Sequence, residues 1–154
     1  MKSEARLRRA AGAIVVLAAL GIGVCGYLLY EHYCAPIACI GTGCARVDAS
    51  PYSEIFGVPL SALGLLSYGA IGGLGLGALR RGGPRAGAFF LGIFGLALVG
   101  VLFSAYLTYV ELAIIRAVCT WCATSAALIA AIFGISLYAL RAIPAPAPAE
   151  EGRV

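Results

Sequence analysis

Charge is what this chain has least of. Asp, Glu, Lys and Arg make up 12% of its residues, about half the ~25% usual in soluble domains. Hydrophobic residues make up 62%. So little charge excludes an ordinary water-soluble domain and points to a protein that uses lipid as its solvent. Histidine is almost absent too. His32 is the only one, and a lone histidine beside Glu31 reads as a solvated residue rather than a catalytic one. The single tryptophan, Trp121, reads as an anchor at a membrane surface. The net charge of +4 does not argue for a nucleic-acid partner, because the basic residues are segregated along the chain in a way that reports orientation.

Four runs carry no charge: Ala10 to Tyr30, Ile55 to Leu79, Ala86 to Val110, and Ala117 to Leu140. Each is long enough for a bilayer span, which needs about 20 apolar residues. The first follows a basic stub, Met1 to Arg9, as a signal peptide would, but it outruns the ~7–15-residue apolar core of a signal. It is therefore expected to stay as a span. The 154 residues make one domain. The expected fold is an all-α membrane protein, a four-transmembrane-helix bundle over residues 1–141. A Pro/Ala-rich tail, 142–154, is expected to be disordered. Of the 11 basic residues, nine fall on one side of this arrangement: Lys2, Arg6, Arg8, Arg9, Arg80, Arg81, Arg85, Arg141 and Arg153. Only Arg46 and Arg116 fall on the other. Basic residues stay on the cytoplasmic side, so both termini are expected in the cytoplasm. The Glu31–Glu54 loop between helices 1 and 2 is expected on the outer face.

Cysteine, by contrast, is plentiful: there are six. Cys119-Thr120-Trp121-Cys122 has the spacing of a dithiol/disulfide redox pair. It stands at the head of the fourth run, where a helix N-terminus and the nearby Arg116 would favour the thiolate. A second close pair, Cys39 and Cys44, lies in the outer loop, with Cys34 just before it. Both pairs fall on the oxidising side of a bacterial membrane, so charge bias and thiol chemistry give one topology. Electrons pass between two such pairs only if a thiolate of one reaches a sulfur of the other. The expected relay runs from a reduced partner protein to the loop pair, then to Cys119–Cys122, then to a lipid-soluble quinone. Static structural disulfides are the bland alternative, although a two-residue C-x-x-C ring crosslinks little chain. A zinc site from Cys39, Cys44, Cys119 and Cys122 is also possible, but an outer-face loop gives no reason to expect one, and no metal is assigned. Gly73 and Gly77 have the spacing of a helix-packing motif, read here as packing within the bundle. Cys25, inside the first run, reads as a packed thiol.

Two stretches carry a specific resemblance. Cys39 to Tyr68 reads CIGTGCARVDASPYSEIFGVPLSALGLLSY, a loop cysteine pair followed by Ser-Pro-Tyr-x-Glu-x-x-Gly-x-Pro. Leu112 to Ser125 reads LAIIRAVCTWCATS. In this order they resemble the vitamin K epoxide reductase family, and specifically its bacterial disulfide-forming members that lack a fused thioredoxin domain. The resemblance covers about residues 10 to 140. It implies that Cys39, Cys44, Cys119 and Cys122 are catalytic, that Cys44 exchanges with Cys119, and that Cys122 faces the quinone. It implies that Ser50, six residues after Cys44, bonds the quinone oxygen. Cys39 is taken as the first loop cysteine, with Cys34 as its competitor. The implied cofactor is a quinone, ubiquinone or menaquinone. The implied partner is a separate thioredoxin-fold disulfide oxidase on the outer face of a bacterial cytoplasmic membrane. Two departures count against vitamin K epoxide as substrate. Ala126 stands where the animal enzymes have a Tyr, and Pro59-Leu60-Ser61 shows no counterpart of their Asn. Electron flow in the opposite direction, or a non-enzymatic four-span protein, are the competing readings.

Overall fold

The structure, a computed structural model, describes residues 2–34, 43–55, 57–81 and 86–143. Its elements in chain order are α1 (Lys2–Cys34), α2 (Gly43–Asp48), β1 (Glu54–Ile55), β2 (Val58–Pro59), α3 (Leu60–Arg81) and α4 (Ala86–Tyr109). A π-helical turn (Val110–Ile115) and α5 (Thr120–Ala142) complete it. Four helices are long and apolar enough to cross a membrane: Glu4–Cys34, Leu60–Arg81, Ala86–Ile115 and Thr120–Ala142. The expected four-helix membrane bundle is the fold observed. The tail expected to be disordered lies, beyond Ile143, outside the described residues.

Each long helix packs against two neighbours, α1 on α3 and α5, and α4 on α3 and α5, so the four close into a ring. Ile14 and Ala18 of α1, Ile71 of α3, Phe90, Ile93 and Ala97 of α4, and Ile132 of α5 are fully buried along its axis. Lipid is as apolar as these side chains, so what holds the ring together is close van der Waals contact rather than expulsion of water. Glycines permit that contact. A Cβ on Gly100 of α4 would lie 2.8 Å from Cγ1 of Ile129 on α5. A Cβ on Gly77 would meet the Phe89 ring, whereas one on Gly73 would meet nothing. Of the expected glycine pair, only Gly77 therefore packs within the bundle.

The first helix runs further than its uncharged run suggests. Helix α1 runs on through Glu31 to Cys34. The Tyr27 hydroxyl donates to the Glu31 carboxylate one turn ahead, and His32 Nε2 lies 3.4 Å from Glu54 Oε1. This corrects the reading of His32 as merely solvated: it ties the end of α1 to the β1–β2 hairpin. Glu54 pairs with Pro59 and Ile55 with Val58. Gly57, at φ 76°, makes the turn in a conformation that favours glycine. Helix α3 starts only at Leu60, because the residues before it are taken up by the hairpin.

Candidate redox site at the head of the bundle

The site is built on the break between α4 and α5. Helix α4 does not end at Tyr109 but widens into the π turn, a form that recurs at functional sites. The turn closes on one carbonyl: Glu111 O accepts the N–H of Arg116 and, at 3.1 Å, that of Ala117. Arg116 adopts the left-handed conformation, φ 52°. The chain then runs extended to Cys119, which caps α5 with φ −87° and ψ 114°. The Cys119 Sγ accepts the backbone N–H of Cys122 at 3.3 Å. The Cys119 N–H in turn donates to Glu111 Oε2 at 3.2 Å. Glu111 therefore holds this stretch at both ends, through its carbonyl and through its carboxylate.

Burial is high for a redox pair. Cys119 is 2% exposed and Glu111 6%, while Cys122, one turn into α5, is half-buried. The helix N-terminal donor goes to the Cys119 sulfur, so of the pair it is that sulfur which receives the stabilisation expected at the head of the helix. Hydrogen bonds from the Cys122 side chain, and from the N–H groups of Cys122 and Trp121, hold the Cys119 thiol below the ordinary thiol range. Burial and the Glu111 charge push the other way and lose. Arg116 is exposed and does not contribute to this shift. The charge nearest the sulfurs is a carboxylate, not the guanidinium expected from sequence.

Two cavities meet here. The first, about 90 Å³, is lined by Cys44 of α2, by Tyr52 and Ser53 of the loop, and by Glu111, Cys119 and Cys122. The second, about 170 Å³, lies deeper among the spans, with Cys25, Tyr68, Phe103, Glu111, Cys122 and Ser125 on its wall. Cys122 and Glu111 line both; Cys44 and Cys119 line only the first. The Tyr68 hydroxyl donates to Ser125 O at 2.8 Å and lies 3.1 Å from Ser125 Oγ, fastening α3 to α5 across the second cavity. Trp121 packs on Tyr27 of α1 with ring centroids 5.2 Å apart.

Cys44 is buried and disulfide-bonded. Cys34 is exposed; it and the less exposed Cys25, Cys119 and Cys122 are all free. Cys39 lies outside the described residues. Helix α2 sits close against the head of α5. A side chain on Gly43 would run into the Val118 carbonyl, so only glycine lets Cys44 approach this near. Ser50 lines neither cavity. Its hydroxyl donates to Val47 O at 2.6 Å, and the hydroxyl-bearing residues that line the first cavity are Tyr52, Ser53 and Ser61. The residue that sequence reasoning passed over is Glu111, placed there in a short connector. The signal was available: a lone carboxylate in an otherwise apolar stretch, eight residues before the C-x-x-C, is a functional candidate in a membrane protein.

A four-helix membrane bundle with a dithiol at the head of α5, beside the disulfide-bonded Cys44 and an apolar cavity, defines the class as a membrane oxidoreductase. Residues 12–137 match the Vitamin K epoxide reductase family, and the chain belongs to that family. A search of curated proteins finds no match.

Proposed function

We propose that this protein oxidises a separate thioredoxin-fold protein on the outer face of a bacterial cytoplasmic membrane. Two electrons pass through Cys39/Cys44 and Cys119/Cys122 to a membrane quinone, ubiquinone or menaquinone, in support of disulfide-bond formation. The observation that carries this reading is the division of the sulfurs between the two cavities. Cys44 and Cys119 share the first, and Cys122 alone also opens to the second. The order of the cavities is the order of the relay.

The residues present suit a quinone. An apolar cavity of ~150 Å³ takes a single benzene-sized ring, and the second cavity, at about 170 Å³, takes one quinone ring beside Cys122. When bound, a quinone supplies a two-electron, two-proton acceptor. The chain's own part is as follows. A thiolate of the partner attacks the loop disulfide at Cys39, and the partner's second thiol closes its own disulfide, leaving Cys39 and Cys44 reduced. Cys44 attacks an oxidised Cys119–Cys122 pair at Cys119, Cys39 resolves the mixed disulfide, and the loop bond re-forms. Cys119 is suited to the exchange: it faces Cys44's cavity, and its thiol lies below the ordinary range. Cys122 is left reduced at the wall of the second cavity. For Ser50 to bond a quinone oxygen its hydroxyl would leave Val47 O, whereas Ser61 already lines both cavities.

The test is purified protein with a short-chain quinone and a reduced thioredoxin-fold protein, followed by quinone absorbance. The wild type reduces the quinone, and Cys122→Ser and Cys119→Ser do not. Cys39→Ser loses the protein-driven reaction but still turns over with a small dithiol. A wild type that leaves the quinone oxidised, or a Cys122→Ser variant as fast as wild type, refutes the proposal.

A further inference from the structure

The proposed relay leaves the protons without a carrier. Closing the Cys119–Cys122 disulfide breaks two S–H bonds, forms one S–S bond, and releases two electrons and two protons. Conversion of a quinone to a quinol takes up both, so the count balances, but the protons must cross a buried, apolar wall. The titratable groups facing this space are Tyr52 of the loop, Cys25 of α1, Tyr68 of α3, the two thiols of the C-x-x-C, and Glu111, with the disulfide-bonded Cys44 of α2 beside them. Among the described residues no Lys, Arg or His lines either cavity. Glu111 is the one carboxyl of this set, an acid–base group that takes no part in the thiol–disulfide exchange itself.

Three observations single out Glu111. It is nearly fully buried, at 6% exposure, within a spanning segment, where a carboxylate is costly and marks function. It lines both cavities, as Cys122 does. Its carboxylate is close enough to both thiols for its charge to act on them, and one oxygen accepts the Cys119 N–H at 3.2 Å. That bond occupies Oε2. The π turn that carries Glu111 also sets the chain from Arg116 to Cys119, with the Glu111 carbonyl accepting the Arg116 and Ala117 N–H groups.

We propose that Glu111 is the proton carrier of the Cys119–Cys122 pair. It takes in turn each of the two protons that the thiols give up as the disulfide closes, and would release each toward a quinone on the second-cavity side. This inference rests on the relay proposed above. In the reverse reaction the same carboxyl returns the proton to sulfur.

Glu111→Gln separates this role from a structural one. The amide oxygen can still accept the Cys119 N–H, but the side chain can no longer carry a proton. Full-length protein with Cys25 and Cys34 changed to Ser is used in two measurements. The first needs no quinone: alkylation of the reduced C-x-x-C by iodoacetamide across pH. The Glu111 charge opposes ionisation of Cys119, so its removal moves the Cys119 midpoint to lower pH. The second is dithiothreitol-driven reduction of a short-chain quinone. In Glu111→Gln, kcat falls about 100-fold, the size typical of a lost proton-transfer group. KM changes little. Glu111→Asp recovers part of kcat. A Gln variant with wild-type kcat overturns the proposal. So does a slow Gln variant whose alkylation midpoint has not moved, because that marks a packing defect. If the Gln variant does not fold, Glu111→Ala carries the test, and wild-type kcat in it overturns the proposal. If the wild type itself reduces no quinone, the relay fails, while the midpoint shift still reports separately on the link between Glu111 and the thiols.

Discussion

The Cys119 sulfur accepts the N–H of Cys122, and it is the thiolate that gains most from such a bond, because charge-assisted hydrogen bonds are the stronger ones. A lowered thiol pKa means that the reactive form persists to lower pH. Reactivity is full above the shifted pKa and is lost only as pH falls through it. Alkylation of Cys119 is therefore expected to reach half its maximal rate below ~8.5, the value for an unperturbed thiol. In Cys122→Ala the side-chain bond that contributes most to the shift is gone. The midpoint then moves up, with the N–H bonds of the helix turn alone holding it down. An unchanged midpoint in that variant contradicts the hydrogen-bond account. Glu111 and Cys119 meet with opposite effects: the carboxylate fixes the position of the Cys119 backbone while opposing the charge on its sulfur.

Among the elements, the short helix α2 is placed by contact rather than by its own stability. Six residues form too few turns to be helical alone. What holds Cys44 over the C-x-x-C is the close seat of Gly43 on Val118. In Gly43→Val the branched side chain meets the Val118 carbonyl and lifts α2 from the head of α5. The four spans do not depend on this contact, so thermal unfolding of the bundle is expected to stay within a few degrees of wild type. Protein-driven quinone reduction falls at least tenfold, while dithiothreitol-driven reduction at Cys119–Cys122 is retained. Equal loss of both activities would place Gly43 in the general fold instead of the loop-to-span contact. The π turn is the second element that shapes the site, since it holds a carboxylate and a left-handed Arg116 just ahead of the redox pair.

At the scale of the whole molecule, the bundle has a basic end and a cysteine end. Arg80, Arg81 and Arg141 sit at the C-terminal ends of α3 and α5, and Arg6, Arg8 and Arg9 in the first turns of α1. Cys44, Cys119 and Cys122 are at the opposite end. If the basic end faces the cytoplasm, as the charge rule requires, an impermeant thiol reagent labels a cysteine introduced at the exposed Tyr52 in intact cells and leaves one at Gly82 unlabelled. The reverse pattern inverts the topology and removes the outer-face partner from the proposed function.

The four spans, the family and the C-x-x-C could all be read from the sequence, because each rests on something local: length without charge, order of motifs, spacing of two cysteines. What the sequence left open depends on which side chains the fold brings together. The local hint at Glu111, a lone carboxylate in an apolar stretch, does not say what it touches; the fold brings it to the Cys119 N–H eight positions later. Nothing local gives the Ser50 hydroxyl to the Val47 carbonyl, or pairs His32 at the end of α1 with Glu54. Runs of apolar residues determined that this chain crosses a membrane four times. Only close packing of those spans, which in lipid depends on contacts between distant residues, decided where the cavities open and which sulfur faces which.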